Sequence, residues 1–352
     1  MALTITAKPA PAEEAEERLV YLSAIEAGIS RRAGKNGFLY YDTGGKRITD
    51  RDALDRFARL AIPPAYTDVL IAEDSNAHLQ AVGTDLRGRR QYRYHPDWSA
   101  ARARQKFALL PAFAAALPDI RACVDRDLRL RRSGMAKALA TVVALLDRLM
   151  IRVGNAVYAE ENGSYGLTTL RNRHVKIDGA NVHFAFKGKS GKEWRLSHSD
   201  RRIAGAIRML HELPGHHLFQ YVDEDGESRP IRSEDVNAYI RDASGGTFSS
   251  RQFRTWGATR LAAMALAAQP PAESARERAR QINAAIDAVA AKLVNTRAVC
   301  RASYVHPRVI EDFETGALAT IARARSSRSE RLRQWMDEEE IRVLSWLKRA
   351  EG

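Results

Sequence analysis

The sequence Val294-Asn-Thr-Arg-Ala-Val-Cys-Arg-Ala-Ser-Tyr-Val-His-Pro307 is the stretch around which the rest of this chain is organised. Tyr304 stands at its centre, nine residues after the short polar side chain of Asn295. Arg297 and Arg301 lie between them. A phenol with a pKa of about 10 attacks poorly unless neighbouring cations stabilise the charge that develops on the group under attack. The pattern therefore predicts a tyrosine nucleophile for an anionic group, phosphate first, with further cations upstream.

The composition limits both the size of the domains and the kind of partner. With 352 residues, 45% of them hydrophobic, the chain has room for two domains with cores of ordinary size. Its 56 lysines and arginines against 43 aspartates and glutamates give a net charge of +13, which suits a polyanion. Nucleic acid is the first candidate partner, and an anionic membrane surface is the second.

The cysteines and the N-terminus indicate a reducing compartment. Cys123 and Cys300 lie far apart and without zinc-ligand spacing, so neither a disulfide framework nor a zinc site is indicated. Cys300 is expected to be a small buried residue. Residues 1–17 predict a disordered tail without a secretion signal, and no apolar stretch of about 18 residues predicts a transmembrane helix. We expect a cytoplasmic protein.

Short apolar runs, broken by glycine and proline pairs, predict strands and turns from Phe38 to Ile71. A weaker strand pattern at His78–Val82 leads into Gly83-Thr-Asp-Leu-Arg-Gly-Arg-Arg-Gln-Tyr-Arg-Tyr-His95, a basic hairpin with interleaved aromatic residues. Such a hairpin suits DNA, because arginines neutralise phosphates while amide and aromatic side chains reach bases or sugars. The candidate contacts are Arg87, Arg89, Arg90, Gln91, Tyr92, Arg93 and Tyr94. The alternative is a solvated basic turn.

From Ala100 onward the pattern changes to helical periodicity, which predicts a second and larger domain. Apolar residues from Leu139 to Met150 recur at helical spacing, and with Ser133 as N-cap they predict a core helix that ends at Arg152-Val-Gly154. Further helices are predicted over 203–213, 234–241, 249–268, 272–293 and 341–347.

Between Val175 and Leu196 the apolar spacing falls to two. This predicts a three-stranded antiparallel meander with turns at Asp178-Gly179 and Gly188–Lys192. The predicted fold class is therefore α+β. We expect a small β-rich N-terminal domain at 18–98 and a larger, mostly α-helical domain at 99–352.

Four motifs carry a family resemblance. They are Arg152-Val-Gly-Asn155 with Tyr158–His174, Phe186-Lys-Gly-Lys-Ser-Gly-Lys192, Arg251-Gln-Phe-Arg-Thr-Trp-Gly257, and Asn295–Pro307. In this order and spacing they resemble the type IB DNA topoisomerases of the bacterial and poxvirus kind, and the resemblance covers most of the chain. It implies an isomerase that relaxes double-stranded supercoiled DNA by transient single-strand cleavage through a 3′-phosphotyrosyl intermediate, strand rotation and religation. It also implies no cofactor, and a catalytic core related to that of the tyrosine recombinases.

In that family two arginines, a lysine, a histidine or its substitute, and a tyrosine surround one scissile phosphate. Matching the motifs implies that the arginines are Arg152 and Arg254 and that the lysine is Lys189. The nucleophile is then Tyr304. Asn295 stands where the poxvirus enzymes have histidine, so a charged donor is ruled out there, although an amide N–H can still bond to a phosphate oxygen.

These residue types also suit the chemistry by themselves. Attack by a phenolate puts charge on the nonbridging oxygens, which two guanidinium groups can bind. The 5′ oxygen leaves badly as an alkoxide, and a lysine with a lowered pKa on the meander turn, Lys189, can supply the proton. The motifs contain no carboxylate cluster for magnesium, so a reaction independent of metal and ATP is predicted.

Taken singly, each of these residues also has a structural explanation. The structural roles are a helix C-terminal partner for Arg152, a hairpin-tip charge for Lys189, a surface position for Arg254 and a core aromatic for Tyr304. Their joint occurrence in family order favours catalysis. His174 and His306 lie inside motifs but are expected to be structural, or phosphate contacts at most.

The expected architecture is a two-lobed clamp that acts as a monomer, with DNA between the lobes, in association with the nucleoid. A tyrosine recombinase or integrase is the nearest alternative enzyme. The Ile62-Pro-Pro-Ala-Tyr66 and Gln91-Tyr92 regions and the Gly163–Leu170 run argue against it. A non-catalytic DNA-binding or architectural protein is the alternative from another class, and it requires Tyr304 to be inert.

Overall fold

A computed structural model describes residues 18–132, 134–322 and 327–349 of the chain. The chain divides between Ala108 and Leu109 into two compact units. The predicted disordered tail at 1–17 and the predicted helix cap Ser133 lie outside the described residues.

The N-terminal unit is built on a five-stranded antiparallel sheet. Its strands are β1 (Ile29–Gly34), β2 (Gly37–Tyr41), β3 (Thr67–Ile71), β4 (Leu79–Thr84) and β5 (Arg90–Tyr94). The spatial order β2-β1-β3-β4-β5 leaves β2 and β5 at the edges. The predicted basic hairpin is therefore confirmed as β4 and β5, with β5 as an edge strand.

The two faces of this sheet differ. Helix α1 (Arg51–Arg59) covers the first face, where Phe57 packs with Val69 and other apolar side chains of the strands. On the second face Val82 packs with Ile25 from the segment that precedes β1. Tyr92 pairs with Val82 in the antiparallel ladder, so its side chain lies on this second face. Helix α2 (Pro96–Ala108) follows β5.

The C-terminal unit is mostly α-helical, as predicted, around one hydrophobic core. Its helices are α3 (Leu110–Leu128), α4 (Met135–Leu149), α5 (Ala156–Asn162), α6 (Arg201–His211), α7 (Ser233–Ser244), α8 (Arg251–Ala267), α9 (Ala275–Leu293), α10 (Arg297–Ser303), α11 (Pro307–Glu314), α12 (Glu330–Trp335) and α13 (Glu338–Lys348). In the described part of the chain no single helix is long and apolar enough to cross a membrane, and only α2 and α3 taken together meet that test.

The predicted three-stranded meander is confirmed. It consists of β6 (Val175–Asp178), β7 (Asn181–Lys187) and β8 (Glu193–Ser199), paired in that order. Along β7 alternate residues are buried, among them Phe184 and Phe186. A second, short hairpin of β9 (Gln220–Val222) and β10 (Ser228–Pro230) was not predicted. The α+β class is confirmed, while a relation to the recombinase core stays a prediction.

A buried ion network joins the last helix to the core of the C-terminal unit. Arg121 of α3 donates to Asp147 of α4 (2.8 Å) and to Glu340 of α13 (2.7 Å). These three side chains are only 12%, 10% and 7% exposed. Glu340 also accepts a hydrogen bond from the indole N–H of Trp256 (3.3 Å), which lies on α8 two residues after Arg254. The network therefore holds α13 against the helix that carries a candidate catalytic arginine.

Candidate active site

Arg152 lies in a loop, because the preceding helix stops earlier than predicted. Helix α4 was expected to end at 152–154, but it ends at Leu149, and Met150 adopts the left-handed conformation (φ 52°). A left-handed residue directs the chain away from the helix axis and leaves the last carbonyl groups available to other donors. Arg152 is thereby placed beyond the helix end and remains partly exposed.

The loop around Arg152 is held by the Gly-Ser-Tyr-Gly-Leu run that follows α5. The backbone N–H of Leu167 donates to the carbonyl oxygen of Arg152 (3.0 Å). This close approach requires glycine, since a Cβ at Gly166 would lie 2.5 Å from the Cα of Gly154. The motif therefore has a backbone role in fixing the loop, whatever its side chains contact.

Arg254 is held by the ends of two helices. It lies in the first turn of α8 and is 3% exposed, which excludes its interpretation as a surface residue. Its guanidinium group donates to the carbonyl oxygens of Met150 and, at 3.1 Å, Leu293. Both carbonyls stand at helix C-termini, where the partial charge is negative, and Val294, like Met150, is left-handed (φ 50°). Backbone contacts therefore orient this cation before any substrate binds.

Tyr304 caps the C-terminus of α10 and faces Arg254. Its backbone N–H donates to Cys300 (2.9 Å), and its carbonyl accepts from the hydroxyl of Thr259 (3.2 Å). The guanidinium carbon of Arg254 lies 5.0 Å from the centroid of the phenol ring. Tyr304 is thus half-buried beside a cation rather than packed as an ordinary core aromatic.

The two arginines lower the pKa of Tyr304. Burial by itself raises the pKa of the phenol, but the charges of Arg254 and Arg152 and the hydrogen bonds they donate outweigh it. The net pKa of Tyr304 therefore lies below its ordinary value of about 10. A phenol in this environment ionises more readily, which is the property that a tyrosine nucleophile needs.

Asn295 completes the cluster from the turn between α9 and α10. Its Oδ1 accepts a hydrogen bond from Nη2 of Arg152 (2.9 Å). Its Nδ2 is buried without a hydrogen-bond partner of ordinary geometry among the described residues, although burial raises the pKa of the nearby Cys300 thiol and the Asn295 amide is close enough to oppose that rise. The amide therefore has a donor available for a further acceptor.

The cluster has an excess of positive charge. In the described part of the chain neither Arg152 nor Arg254 pairs with a carboxylate. Burial, and then the charge of Arg152, lower the pKa of Arg254 to about 10. Cys300 is fully buried at the centre of the group, and burial raises the pKa of its thiol against the opposing effect of the arginines. Two cations held together without a counterion form a site for an anion.

The meander turn carries two lysines, of which the family motif implies a catalytic role for Lys189 alone. Lys189 is exposed in the turn between β7 and β8. Lys192 is half-buried, and strand alternation puts its side chain on the same face as Trp194, whose ring lies 6.0 Å from the Arg254 guanidinium carbon. Burial raises the pKa of the Cys300 thiol, and the charge of Lys192 is among those that oppose this rise, so Lys192 lies near the cluster. The sequence feature that could have identified Lys192 is its position two residues before Trp194, which predicts that both side chains lie on one face of the strand.

Both motif histidines have structural contacts. His306 caps the N-terminus of α11 by accepting from the N–H of Arg308 (3.2 Å). Burial, with the charge of Arg308, lowers the pKa of His306 to about 4, so it is neutral at physiological pH. His174 accepts from the backbone N–H of Arg171 (3.0 Å), and burial lowers its pKa as well.

The candidate DNA contacts of the basic hairpin do not form one surface. Arg90, Tyr92 and Tyr94 point to the exposed second face of the sheet, whereas the intervening Gln91 and Arg93 point the other way. Three candidates are already bound within the unit: Arg89 and Gln91 donate to Asp85, and Arg93 donates to the carbonyl of Ala61. Arg87 lies exposed in the turn.

The described residues contain no group of three or more histidine, cysteine, aspartate or glutamate side chains arranged to hold a metal ion.

Two family models match the chain. Residues 95–330 match the catalytic core of eukaryotic DNA topoisomerase I, and residues 37–85 match the N-terminal domain of bacterial DNA topoisomerase IB. The chain is 33% identical over 295 residues to DNA topoisomerase 1B of Acanthamoeba polyphaga mimivirus, which covers 82% of this chain and 88% of the relative. It is 25% identical over 199 residues to DNA topoisomerase 1B of vaccinia virus (strain Western Reserve), covering 54% of this chain and 63% of that relative.

Proposed function

The chain is a member of the type IB DNA topoisomerase family, and from that premise we propose which of its residues carry out the reaction. The protein relaxes supercoiled DNA by cutting one strand transiently, forming a 3′-phosphotyrosyl intermediate, allowing rotation and rejoining the strand. We assign the nucleophile to Tyr304 and leaving-group protonation to Lys189. We assign stabilisation of the transition state to Arg152, Arg254 and Asn295.

The observation that carries this assignment is the Arg254 guanidinium beside the Tyr304 ring, at 5.0 Å from its centroid. This buried cation has no carboxylate partner among the described residues, and it lowers the pKa of the phenol. The phenol loses its proton to solvent water, its oxygen forms a bond to phosphorus, and the bond between phosphorus and the 5′ oxygen breaks. The same cation therefore favours ionisation of the phenol and is available to bind the negative charge of the phosphate under attack.

The charge on the nonbridging oxygens is taken up by donors that the fold leaves available. Arg254 Nε and Asn295 Nδ2 are buried without hydrogen-bond partners of ordinary geometry in the described part of the chain. Unpaired buried donors are costly, so their presence together at one site supports a bound acceptor there. Hydrogen bonds from charged donors to a phosphate are about twice as strong as neutral ones.

Lys189 is proposed to protonate the departing 5′ oxygen from the meander turn. When the bond to phosphorus breaks, the ammonium group gives up a proton and a 5′ hydroxyl is formed. Rejoining is the reverse: the 5′ hydroxyl attacks phosphorus, its proton returns to Lys189, and Tyr304 leaves as the phenolate. The phosphotyrosyl bond conserves the energy of the original bond, so no ATP is required.

We further propose that the N-terminal unit helps to grip the duplex, as part of a clamp formed by a single copy of the chain. The net charge of +13 and the exposed Arg90, Tyr92 and Tyr94 on β5 support this role. The same charge supports association with the nucleoid. A catalytic core related to that of the tyrosine recombinases is proposed from the shared set of arginine, lysine and tyrosine.

The test is plasmid relaxation in EDTA without ATP, on a plasmid that lacks recombination sites. The wild type is expected to relax the plasmid and to leave a covalent DNA adduct when stopped with denaturant. Tyr304→Phe should bind DNA but do neither, whereas the half-buried Tyr221→Phe, on β9, serves as the matched control and should behave as wild type. Adduct that persists in Tyr304→Phe would show that another residue is the nucleophile.

A further inference from the structure

A pocket of about 340 Å³ lies on the exposed side of the meander, and we call it the meander pocket. Its lining includes Tyr165, Arg173, His174, Lys187, Glu193 and Arg195. Among the described residues that line it there is none of the five proposed catalytic residues. Its volume lies at the lower end of the range for small-molecule sites, about 300–1,000 Å³. The meander pocket is therefore a candidate ligand site that the cleavage reaction does not use.

His174 presents a hydrogen-bond donor at one end of the meander pocket. Its Nδ1 accepts a hydrogen bond from the backbone N–H of Arg171 (3.0 Å). Burial, with the charges of Arg173 and Arg171, lowers the pKa of His174 below its ordinary value, so the ring is neutral at physiological pH. A neutral imidazole that accepts at Nδ1 carries its proton on Nε2. The Nε2 atom of His174 is therefore a donor on a side chain that lines the pocket.

Arg173 and Tyr165 bring further donors to the same end of the pocket. Nε of Arg173 lies 3.4 Å from Nε2 of His174, and since both atoms carry a proton, neither satisfies the other. Nη2 of Arg173 donates to the phenol oxygen of Tyr165 (3.3 Å), which leaves the phenol O–H to donate elsewhere. In the part of the chain that the structure describes, Arg173 pairs with no carboxylate. Three side chains thus present donors at one place, which suits an oxyanion that accepts from all of them.

The charge and the apolar atoms of the meander pocket favour a phosphorylated organic molecule. Three cations and one carboxylate line it: Arg173, Lys187, Arg195 and Glu193. With His174 neutral, they leave an excess of two positive charges. Phe186 and Trp194, whose rings stack at 6.0 Å between centroids, add aromatic atoms to the lining. Charged donors bind a phosphoryl group strongly, and apolar atoms can hold the remainder of a ligand.

We propose that the meander pocket binds a small phosphorylated molecule, with the phosphoryl group accepting from Arg173, His174 and Tyr165. The size of the pocket favours this ligand over duplex DNA, whose phosphates lie in succession along an open surface. The site adds a ligand to the C-terminal unit that is neither substrate nor product of strand cleavage. It does not depend on which residue is the nucleophile.

The experiment measures binding of adenosine 5′-monophosphate to the full-length protein without DNA, by isothermal titration calorimetry. The wild type should bind the nucleotide, and inorganic phosphate should compete with it, whereas adenosine should not. Arg173→Ala should weaken binding about tenfold or more, because a charged donor is lost, and Tyr165→Phe about three- to tenfold. Arg201→Ala is the matched control, because it removes another exposed arginine, on α6 and outside the pocket, and it should change nothing.

The proposal is overturned if the wild type does not bind the nucleotide, or if Arg173→Ala and Tyr165→Phe bind it as tightly as the wild type. Binding that Arg152→Ala abolishes and Arg173→Ala retains would place the nucleotide at the candidate active site alone, which also overturns it. The same holds if Arg173→Ala loses affinity for duplex DNA but not for the nucleotide, because the pocket then holds a DNA phosphate.

Circular dichroism checks the folding of each variant. Arg173 is exposed, so its replacement removes no core contact, and Tyr165→Phe keeps the ring beside His174. If either variant is unfolded, the other carries the test. Tyr304→Phe should bind the nucleotide normally, so a wrong nucleophile and a wrong pocket give different results.

Discussion

Arg152 donates a hydrogen bond from Nη2 to Oδ1 of Asn295, at 2.9 Å and across 143 positions of the chain. The bond fixes the orientation of the amide, because once its oxygen faces a cation its nitrogen is the atom left to face an anion. One neutral side chain thus positions an arginine and supplies a donor. Unlike histidine, asparagine does not titrate near neutral pH, so neither role depends on a change of charge.

Loss of this amide should have a moderate effect. A neutral hydrogen bond contributes about 0.5–1.5 kcal/mol, against about 1.5–3 kcal/mol for a charged one, so Asn295→Ala should slow single-turnover cleavage about tenfold. Asn295→His should remain active. The measurement is the cleavage rate of each variant between about pH 5 and about pH 9. The account of this position is wrong if Asn295→Ala is as inactive as Tyr304→Phe, or if wild-type cleavage is lost through an ionisation that Asn295→Ala abolishes.

The two arginines should be separable by their effects on stability. Arg152→Ala and Arg254→Ala should each slow cleavage by at least about 10²- to 10³-fold, with DNA affinity little changed. Arg254→Ala should also lower the melting temperature, because the carbonyls of Met150 and Leu293 lose their donor. Arg152→Ala should not lower it comparably. If DNA affinity fell in parallel with the rate, both arginines would be binding residues only.

Cleavage should depend on pH through the ionisation of Tyr304. The charges of Arg254 and Arg152 hold the pKa of the phenol below its usual value despite burial, so the rate should rise with pH and level off before about pH 10. Removing one charge raises the pKa, so Arg152→Gln should move this rise to higher pH. The pH dependence of single-turnover cleavage tests both statements, and an unshifted profile in Arg152→Gln contradicts the second.

The two lysines of the meander turn should respond differently to the leaving group. Lys189→Ala should be strongly defective on an ordinary phosphodiester but largely recover when the 5′ bridging oxygen is replaced by sulfur, because a thiolate leaves without a proton. Lys192 reaches the cluster beside Trp194 and is expected to contact a nonbridging oxygen. Lys192→Ala should therefore be slowed about tenfold or more on both substrates alike. Selective recovery of Lys192→Ala instead would exchange the two roles.

The buried ion network should make stability depend on acid pH. Burial raises the pKa of Glu340, but hydrogen bonds and charge from Arg121 outweigh it, so the folded-state pKa lies below the unfolded value. Its contribution is therefore present above the unfolded pKa of about 4.3 and lost as pH falls through the folded pKa. Glu340→Gln should destabilise the fold at neutral pH by about 1.5–3 kcal/mol, because Arg121 loses one charged hydrogen-bond partner but keeps Asp147. Denaturant unfolding at neutral and acid pH measures this, with the surface pair residue Glu338→Gln as control.

Much of the local structure followed from the order of the residues. Apolar spacing of two between Val175 and Leu196 predicted the meander, and helical spacing predicted α4. The helix ends earlier than predicted, because Met150 adopts the left-handed conformation. Such patterns are local, because strand and helix periodicities bring near neighbours to one face. The short β9–β10 hairpin was missed, since three-residue strands are too brief to show a period.

The candidate site, too, could be predicted only in part from the sequence. Sequence motifs selected Arg152, Arg254, Asn295 and Tyr304, and the fold brings these four together. Their identities could be chosen from the sequence because each sits in a motif whose residue types suit phosphate chemistry. The contacts of each residue could not be predicted. The carbonyls that bind Arg254 belong to helix ends 104 and 39 positions away, and only packing of the helices brings them next to its guanidinium group.

The sequence by itself determined the residue types available to the reaction, the net charge of +13 and the order of most helices and strands. Only the tertiary structure decided that Lys192 lies close enough to Cys300 for its charge to act on that thiol, that Gln91 and Tyr92 point to opposite faces, and that Tyr21 stacks on His78. The physical reason is that side-chain periodicity is set by the backbone of one element. A contact between elements depends on how their apolar faces pack, and that packing is a property of the whole core.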